Sequence, residues 1–353
     1  MKKMIENAKR VAIVTHVNAD PDALSSACAL HRLVNSINRD AFVEILVPEG
    51  IGLECKRIYE FCQRMDIPIN VIKKYHQLEG KEPCDTCIIV DTASWEQLRT
   101  VKDYVIRCNN IIVVDHHQYR DIQAPDKNKR ILFFGDEQHY SSTAEIVFEI
   151  IVNHDQRLDN LNELATILLA GVLWDTKRFQ RIARNTFHAV AKMMDLGADY
   201  EEAMKLTAVE KPSSNRIARI KCILRHRGFK IRIRDSELFV AISNVGAYES
   251  DCASSLVSIG YDISFVVTED EDLKAIRVVY RGKDEVVNAL DIDIYNNILK
   301  KLVEVYGGGG GGHKVAGGAI LRTFNVKHVI ESLIKILNSI SEIGVLEFVE
   351  ERS

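Results

Sequence analysis

The chain has 353 residues, of which 46% are hydrophobic and 27% charged, and its formal net charge is -4. This length accommodates two domains that each bury a core, and the composition is that of an ordinary globular protein. A chain with this net charge has no overall positive potential that could bind long nucleic acid through its phosphates. Any nucleic-acid substrate is therefore expected to be short or to be bound at a local site.

The first residues contain no apolar signal-peptide core, and the longest apolar stretch, residues 164–174, is too short to span a bilayer. The sequence therefore predicts a cytoplasmic protein with no membrane partner. Its eight cysteines are scattered, which in that compartment indicates reduced thiols. The C-x-x-C pair Cys84 and Cys87 has no second pair at zinc-binding spacing, so we interpret it as the entry to a strand.

The first half of the chain alternates strand and helix patterns. Apolar runs predict strands at residues 11–14, 42–47, 87–90, 111–114 and 131–134, and helical patterns at 23–34 and 55–65 lie between them. This alternation predicts an α/β fold with a mostly parallel sheet and helices on both of its faces. Ser142 or Thr143 is expected to cap the helix that follows the last of these strands.

Three of the predicted strands end in acids or histidines. The residues concerned are His16, Asp20 and Asp22 after the first strand, Asp91 after the run 87–90, and Asp115, His116 and His117 after the run 111–114. The pair Asp20-Pro21 is also the pattern of a plain helix cap. If the three runs are neighbouring parallel strands, their ends converge on one cleft, which is where ligands collect in open α/β sheets.

Residues 164–174 carry apolar side chains on all sides, which predicts a buried helix. Asp175 follows directly. A buried acid is costly unless it is paired or bound to a metal, so Asp175 is a fourth candidate carboxylate. A plain turn residue is the alternative.

The second half begins with helical patterns at 185–196, 200–207 and 213–226. From residue 229 the pattern changes to strands at 229–234, 237–242, 263–268, 273–280 and 319–323, with helices at 294–306 and 326–340. We therefore predict a first domain at 1–195, a helical linker at 196–227 and a second, smaller α/β domain at 228–353.

Six consecutive glycines, residues 307–312, precede His313. Glycine lets a loop turn its amides inward and lets a ligand approach closely, so such a run can bind a phosphate or a nucleotide. A flexible linker is the alternative. Linkers generally mix Gly with Ser and join domains, whereas this run lies inside one, so we interpret it as a ligand-binding loop.

Taken together, these motifs resemble the DHH phosphoesterases, a family named after the sequence Asp115-His116-His117. The other motifs that carry the resemblance are His16-x-Asn-x-Asp20-x-Asp22, Asp91-Thr92-Ala93, the segment from Gly171 to Thr176, and the glycine run with His313. The last is similar to the DHH-associated C-terminal domain of nanoRNase-type and RecJ-type members. The likeness covers nearly the whole chain in the family's order and implies an active site in the cleft between the two domains.

The resemblance implies two divalent metal ions, usually manganese, and it assigns ligands by position. His16, Asp20 and Asp91 would hold one ion, and Asp22, Asp91, His116 and Asp175 would hold the other. Without metal, carboxylates this close together would repel one another and their pKa values would rise. Mixed imidazole and carboxylate ligands suit manganese better than magnesium, and two metals stabilise the attacking and leaving oxygens of phosphoryl displacement.

The same likeness implies roles for further residues. Asp115 would orient an imidazole, His117 would contact the scissile phosphate and Arg281 would grip a substrate phosphate through its guanidinium fork. The second domain would also bind substrate through Gly309, Gly310, Gly311, Gly312 and His313. The chain departs from the family twice, with Gly282 where Ser is common and Lys177 where Gly is common.

We therefore expect a metal-dependent phosphoester hydrolase that cuts short oligonucleotides or linear dinucleotides to 5'-mononucleotides. The alternatives left open are a 3',5'-bisphosphonucleotide phosphatase, a cyclic-dinucleotide phosphodiesterase, a RecJ-like single-strand exonuclease and a non-catalytic, metal-dependent nucleotide sensor. A RecJ-like enzyme needs an extended basic or stacking groove, for which this chain has neither spare length nor a basic excess. A homodimer is also left open.

Overall fold

The computed structural model describes residues 1–118, 121–123, 129–154, 158–234 and 236–349. It divides into two compact units, residues 1–209 and 210–353. The first unit is built on a parallel sheet with helices and the second on a separate mixed sheet, which confirms the predicted α/β class. The domain boundaries predicted at 195 and 228 stay predictions.

The first unit contains eight helices and six strands among its described residues. In chain order they are α1 (Lys2–Glu6), β1 (Arg10–Val14), α2 (Pro21–Ile37), β2 (Phe42–Pro48), α3 (Lys56–Arg64), β3 (Ile69–Ile72), β4 (Thr86–Val90), α4 (Lys102–Arg107), β5 (Asn110–Val114), β6 (Arg130–Phe134), α5 (Thr143–His154), α6 (Leu161–Asp175), α7 (Thr186–Asp195) and α8 (Tyr200–Leu206). Short 3₁₀ helices cover Leu53–Cys55, Tyr75–Leu78 and Arg99–Val101.

The strands of the first unit form one parallel sheet in the order β3-β2-β1-β4-β5-β6. Strands β1, β4 and β5 are adjacent and parallel, so the condition under which the three runs bring their acids and histidines to one cleft is met. They are almost wholly buried, because helices and loops cover both faces of the sheet, and they are correspondingly rich in Val and Ile. The short edge strand β3 was not predicted.

Helices α2, α5 and α6 pack together on one face of this sheet. Residues 164–173 of α6 are all buried, so the prediction of a helix enclosed on every side is confirmed. Helix α4 and the side chains of Leu98, Val101 and Tyr104 cover the opposite face. Cys84 and Cys87 are buried at the start of β4, as expected for a strand entry.

The second unit contains α9 (Ser213–Arg225), β7 (Arg227–Ile233), β8 (Ser236–Asn244), α10 (Glu249–Ser258), β9 (Ile263–Asp270), β10 (Ala275–Gly282), α11 (Asp284–Ala289), α12 (Lys300–Tyr306), β11 (Gly308–His313), β12 (Ala316–Leu321), α13 (Val326–Ile340) and β13 (Leu346–Val349). The helix predicted at 294–306 instead begins with a π-helical turn, Tyr295–Leu299, which continues into α12. Helices α10 and α11 and strand β13 were not predicted.

The second sheet has the order β11-β12-β10-β9-β8-β7-β13, in which β8 and β9 are parallel and the other neighbours antiparallel. The prediction that the glycine run is a loop is wrong, because it forms the edge strand β11. The physical reason is close pairing with β12: a Cβ on Gly310 would lie 2.5 Å from the carbonyl oxygen of Gly318. Glycine is therefore needed for this strand to pair.

Among the residues described, none of the helices is both long enough and apolar enough to cross a bilayer.

Candidate metal centre

The candidate residues of the first unit lie at the carboxyl ends of its central strands. His16 follows β1 by two residues, Asp91 directly follows β4, and Asp115 directly follows β5. Asp91 has φ +61°, a left-handed conformation that is uncommon for a residue with a side chain and that clusters at functional sites. Its backbone N–H donates to the carbonyl oxygen of Val114 at 2.9 Å, which ties the turn to the neighbouring strand.

Asp20 is the N-cap of α2, as the plain reading of Asp20-Pro21 predicts. Its Oδ1 accepts hydrogen bonds from the backbone N–H groups of Asp22 and Ala23, both at 3.0 Å. These bonds use only one carboxylate oxygen. Capping and metal binding are therefore compatible at Asp20.

Asp22 lies fully buried in the first turn of α2 and holds the start of another helix. Its Oδ2 accepts from the Thr143 N–H at 2.7 Å and its Oδ1 from the Ala144 N–H at 2.8 Å, at the N-terminus of α5. A helix N-terminus stabilises a carboxylate through its unpaired amides. A Cβ on Gly171 would lie 2.9 Å from Oδ1 of Asp22, so only glycine lets α6 pass this close.

The carboxylate of Asp91 stands between two histidines. Its Oδ2 lies 3.6 Å from Nε2 of His16, and its Oδ1 lies 3.7 Å from Nε2 of His116. His16 Nε2 is also 3.7 Å from Oδ1 of Asp20, and His116 Nε2 is 3.0 Å from Oδ2 of Asp175. Each oxygen of Asp91 therefore faces a different set of candidate ligands, which is the arrangement that a bridging carboxylate requires.

Three groups in the described part of the chain bring possible ligand atoms within 4.8 Å of one another. They are His16, Asp20 and Asp91; Asp22, Asp91, His116 and Asp175; and Asp91, His116 and His117. The first two are the sets that the family resemblance implies, although their role as ligands stays a prediction. Nε2 of His116 is buried and makes no hydrogen bond of acceptable geometry, despite its approach to Asp175. Converging donors of this kind fit a divalent cation.

The electrostatics of the cluster point the same way. Burial and the neighbouring carboxylates raise the pKa of Asp22, and burial with the same repulsion raises the pKa of Asp91. Burial of His16 opposes its protonation, but Asp20 and Asp91 outweigh that effect and raise the pKa of its imidazole to about 11. Protons on the aspartates and on His16 thus offset the negative charge of the cluster. A bound cation would displace these protons.

Asp115 orients His117 and not one of the two histidines, His16 and His116, that are proposed as metal ligands. Its Oδ1 accepts a hydrogen bond of 2.7 Å from Nδ1 of His117, and this bond raises the pKa of His117 to about 9. Asp115 is buried, whereas the side chain of His117 is 55% exposed. His117 is therefore a cationic donor on the solvent side of the cluster.

A polar cavity of about 480 Å³ opens beside these residues. Its lining comprises His16, Asp20, Asp91, Thr92, Ala93, Ser94, Glu96, Gln97, Asp115, His117 and Asp175. Ser94, Glu96 and Gln97 were not predicted as site residues, since no motif distinguishes them in the sequence. The cavity is large enough for a small polar ligand.

Sequence reasoning also missed the full role of the segment 141–145. Ser142 caps α5 as expected, in a reciprocal arrangement with Glu145: the Glu145 N–H donates to Oγ of Ser142 at 3.3 Å, and that hydroxyl donates to Oε1 of Glu145 at 3.4 Å. Thr143 does more than begin the helix, because its hydroxyl donates to Oδ1 of Asp91 at 2.8 Å. The local sequence signals a cap but not this long-range partner.

In the second unit, Arg281 and His313 share one row of the sheet. Arg281 on β10 and His313 on β11 both pair with Ala316 of β12, so their side chains lie on the same face, about 10 Å apart. The carbonyl oxygen of His313 accepts from the Tyr280 hydroxyl at 2.6 Å. A Cβ on Gly282 would lie 2.8 Å from side-chain atoms of Ile294 and Val287, so packing explains why serine is absent there.

The remaining predicted residues, Gly309 to Gly312, lie exposed along β11. The two sides of the strand differ. Added Cβ atoms on Gly309 and Gly311 would meet nothing within 4 Å, whereas those on Gly310 and Gly312 would collide with β12. Open space for a ligand therefore lies beside the odd-numbered glycines.

Comparison with known proteins gives three findings. Residues 10–172 match the model of the DHH family N-terminal domain. An uncharacterized protein of Methanocaldococcus jannaschii is 30% identical over 318 residues, which cover 90% of this chain and 89% of that protein. The crystal structure of an exopolyphosphatase-related protein from Bacteroides fragilis superposes with a TM-score of 0.59 at 18% identity, covering 96% of this chain and 94% of that chain, which bears on the fold alone.

A further relative has a named activity. The cyclic-di-AMP phosphodiesterase GdpP of Geobacillus thermodenitrificans is 29% identical over 228 residues. The match covers 64% of this chain but only 33% of that protein, so it spans about a third of the relative's length.

Proposed function

This chain belongs to the DHH family, and from that premise we propose that it is a two-metal phosphoesterase that hydrolyses short oligonucleotides or linear dinucleotides to 5'-mononucleotides. The observation that carries the proposal is the position of Asp91. Its two carboxylate oxygens face His16 and His116 separately, within two groups that could each hold a cation. A bridging acid of this kind is what a pair of metal ions needs.

In this proposal His16, Asp20 and Asp91 hold one ion, and Asp22, Asp91, His116 and Asp175 hold the other. The mixture of imidazole and carboxylate favours manganese over magnesium. Two bound dications would supply Lewis-acid stabilisation of the attacking and leaving oxygens and would lower the pKa of a bound water molecule. The backbone N–H groups of Thr143 and Ala144 hold the carboxylate of Asp22 in place. The N-terminus of α5 thus positions one of the proposed metal ligands.

His117 and Asp115 act on the substrate side. The Asp115 carboxylate accepts a hydrogen bond of 2.7 Å from Nδ1 of His117 and favours the protonated imidazole, which would donate to a phosphate oxygen of the substrate. The same positive charge stabilises the negative charge that develops in phosphoryl transfer. Because His117 is half-exposed, it can reach a ligand in the adjoining cavity.

We assign the rest of substrate binding to the second unit. Arg281 presents a guanidinium fork suited to a phosphate, and His313 lies on the same face of the sheet. The open side of β11 at Gly309 and Gly311 lets a ligand approach the backbone closely. Together these features favour a nucleotide-sized substrate.

A second candidate function is hydrolysis of a cyclic dinucleotide. The specific observation in its favour is the 29% identity to a cyclic-di-AMP phosphodiesterase. A cyclic dinucleotide contains the same kind of phosphodiester bond, so the same metal centre would hydrolyse it. The two functions would differ in how the protein binds the rest of the substrate.

One assay separates these functions. The purified chain would be incubated with manganese and a panel of labelled linear dinucleotides, short and long oligonucleotides, 3',5'-bisphosphonucleotide and cyclic dinucleotide, and the products separated by chromatography. We expect 5'-mononucleotides to appear from the dinucleotide and the short oligonucleotides. Cleavage of the cyclic compound alone would favour the second candidate, and tight binding without any product would indicate a nucleotide sensor.

A further inference from the structure

Residues 176–194 contain five Lys or Arg residues and no acid, in a chain whose net charge is -4. Four of these cations, Lys177, Arg178, Arg181 and Arg184, lie within the segment 177–185, which we call the basic strap. All four side chains are exposed. Within the part of the chain that the structure describes, none of them forms an ion pair or a side-chain hydrogen bond. They are therefore available to an anion.

The first end of the basic strap is tied to the last turn of α6, which carries Asp175. The buried Thr176 donates its hydroxyl to the carbonyl oxygen of Val172 at 2.6 Å. The Arg178 N–H donates to the carbonyl oxygen of Leu173 at 2.8 Å, and the Arg181 N–H to that of Thr176 at 3.0 Å. The strap therefore leaves directly from a candidate metal ligand.

Three successive residues of the strap adopt a left-handed conformation. Lys177, Arg178 and Phe179 have φ values of +49°, +55° and +66°. This conformation is unfavourable for residues that have a side chain, and backbone strain of this kind is found mostly at functional sites. The strain turns the chain sharply immediately after Asp175.

The other end of the basic strap is tied to the start of α5. The Ala183 N–H donates to the hydroxyl oxygen of Ser141. The buried Thr186, just beyond the strap, lies 2.8 Å from the Ser141 hydroxyl and donates to Oε1 of Glu145 at 3.1 Å. Since the amides at the start of α5 hold Asp22, the strap runs between two structures that hold acids of the metal centre.

We propose that the basic strap binds the non-scissile phosphates of a single-stranded nucleic acid whose scissile phosphate lies at the metal centre. This inference rests on the proposed function and deepens it. A strand of three or more nucleotides carries internal phosphates besides the scissile one, so the basic strap favours such strands over dinucleotides. Arginine forks suit phosphate oxygens. Phe187 is 56% exposed and its ring lies 5.5 Å from that of Phe179, which offers a stacking face for a base.

The test compares binding by the wild-type chain, an Arg181→Ala/Arg184→Ala variant and a matched Lys9→Ala/Arg39→Ala control. Lys9 and Arg39 are exposed and precede β1 and β2, so they lie at the amino ends of the parallel strands, away from the candidate metal centre. The control variant loses the same two positive charges as the strap variant. Fluorescence anisotropy with labelled oligoribonucleotides of two, four and eight residues, in EDTA to prevent hydrolysis, gives Kd as a function of potassium chloride concentration. Thermal unfolding confirms that each variant folds.

We expect the wild-type and control chains to bind longer strands more tightly. The strap variant should bind the eight-residue strand about tenfold more weakly, and its slope of log K against log salt should fall by about 1.4, since each lost single-strand phosphate contact removes about 0.7. An unchanged slope, or a wild-type Kd independent of length, would overturn the inference. Equally tight binding of polyglutamate would assign the strap to an acidic protein and overturn it too.

A parallel measurement of manganese-dependent dinucleotide hydrolysis by the wild-type chain keeps the two proposals distinguishable. Hydrolysis with an unchanged salt slope in the strap variant contradicts the basic strap alone. Length-dependent binding that the strap variant loses, with no hydrolysis of any substrate, supports the strap and contradicts the proposed reaction.

Discussion

The hydroxyl of Thr143 donates a hydrogen bond of 2.8 Å to Oδ1 of Asp91, while the backbone N–H of the same residue donates to Oδ2 of Asp22 at 2.7 Å. One residue at the start of α5 thus fixes two acids that come from a strand end and from another helix. Partners of ligating side chains typically matter for metal affinity by factors of about 10–100. Thr143 is therefore a positioning residue of the candidate metal centre.

Replacing Thr143 by Val should weaken manganese binding about tenfold, because Val removes the hydroxyl that orients Asp91 but keeps the N–H that holds Asp22. Thr143→Ser is the matched control and should bind as the wild type does. Isothermal titration calorimetry measures the affinity without relying on activity. Equal manganese affinity in the Val and Ser variants would show that the hydroxyl has only a structural role.

Asp91→Ala should abolish manganese-dependent hydrolysis of a dinucleotide and leave the fold intact. The fold should persist because the substitution removes a buried acid that other acids repel. Both tryptophans, Trp95 and Trp174, lie in the first unit, so their fluorescence during thermal unfolding reports on that unit. Full activity in this variant would contradict the bridging role of Asp91.

Asp115→Asn should lower the pKa of His117 from about 9 toward its ordinary value of 6.5, since the hydrogen bond to Asp115 is the largest cause of the shift. A group whose pKa is raised on folding stabilises the folded state at low pH. This stabilisation is lost as the pH rises through the pKa of the group in the folded state. The His117–Asp115 bond should therefore weaken above about pH 9. NMR titration of the imidazole resonances in both proteins measures this, and identical titration curves would contradict it.

The sequence was sufficient for the residues that sit at strand ends. His16, Asp91 and Asp115 follow apolar runs that pair as neighbouring parallel strands, so topology alone brings them together. The contact between Asp22 and α5 could not be foreseen, because it joins residues 121 apart in the chain through backbone amides. No periodicity encodes such a partner.

The glycine run shows the opposite failure. A run without side chains has no alternation of apolar and polar residues, so nothing in it signals a strand, although its backbone pairs along the whole of β12. The pairing depends on the neighbouring glycines, since a Cβ on Gly317 would lie 2.5 Å from the carbonyl oxygen of Gly311. The close fit between the backbones of β11 and β12 determines the structure here. The amino-acid composition of the run does not reveal that fit.

Glu145 should make the first unit less stable as the pH rises. Burial raises its pKa from the ordinary 4.5 to about 7, so ionisation in the folded state is unfavourable and stability is lost between these two values. Relative to Glu145→Gln, the wild type should lose about 2–3 kcal/mol of unfolding free energy between about pH 5 and pH 8. Urea unfolding in EDTA, followed by tryptophan fluorescence, measures the difference, and a value independent of pH would contradict the shift.

Alanine substitutions at adjacent positions of β11 should have opposite signatures. Gly310→Ala places a Cβ 2.5 Å from the Gly318 carbonyl oxygen and 2.7 Å from Cα of Ala319, so it should destabilise the second unit by about 1–3 kcal/mol. Gly311→Ala meets open space and should change stability by less than about 0.5 kcal/mol, but it should raise KM because its methyl group enters the proposed ligand side. Scanning calorimetry and steady-state kinetics separate the two effects. Equal stability of both variants would mean that β11 does not pair as described, and an unchanged KM in Gly311→Ala would remove this strand from the proposed substrate site.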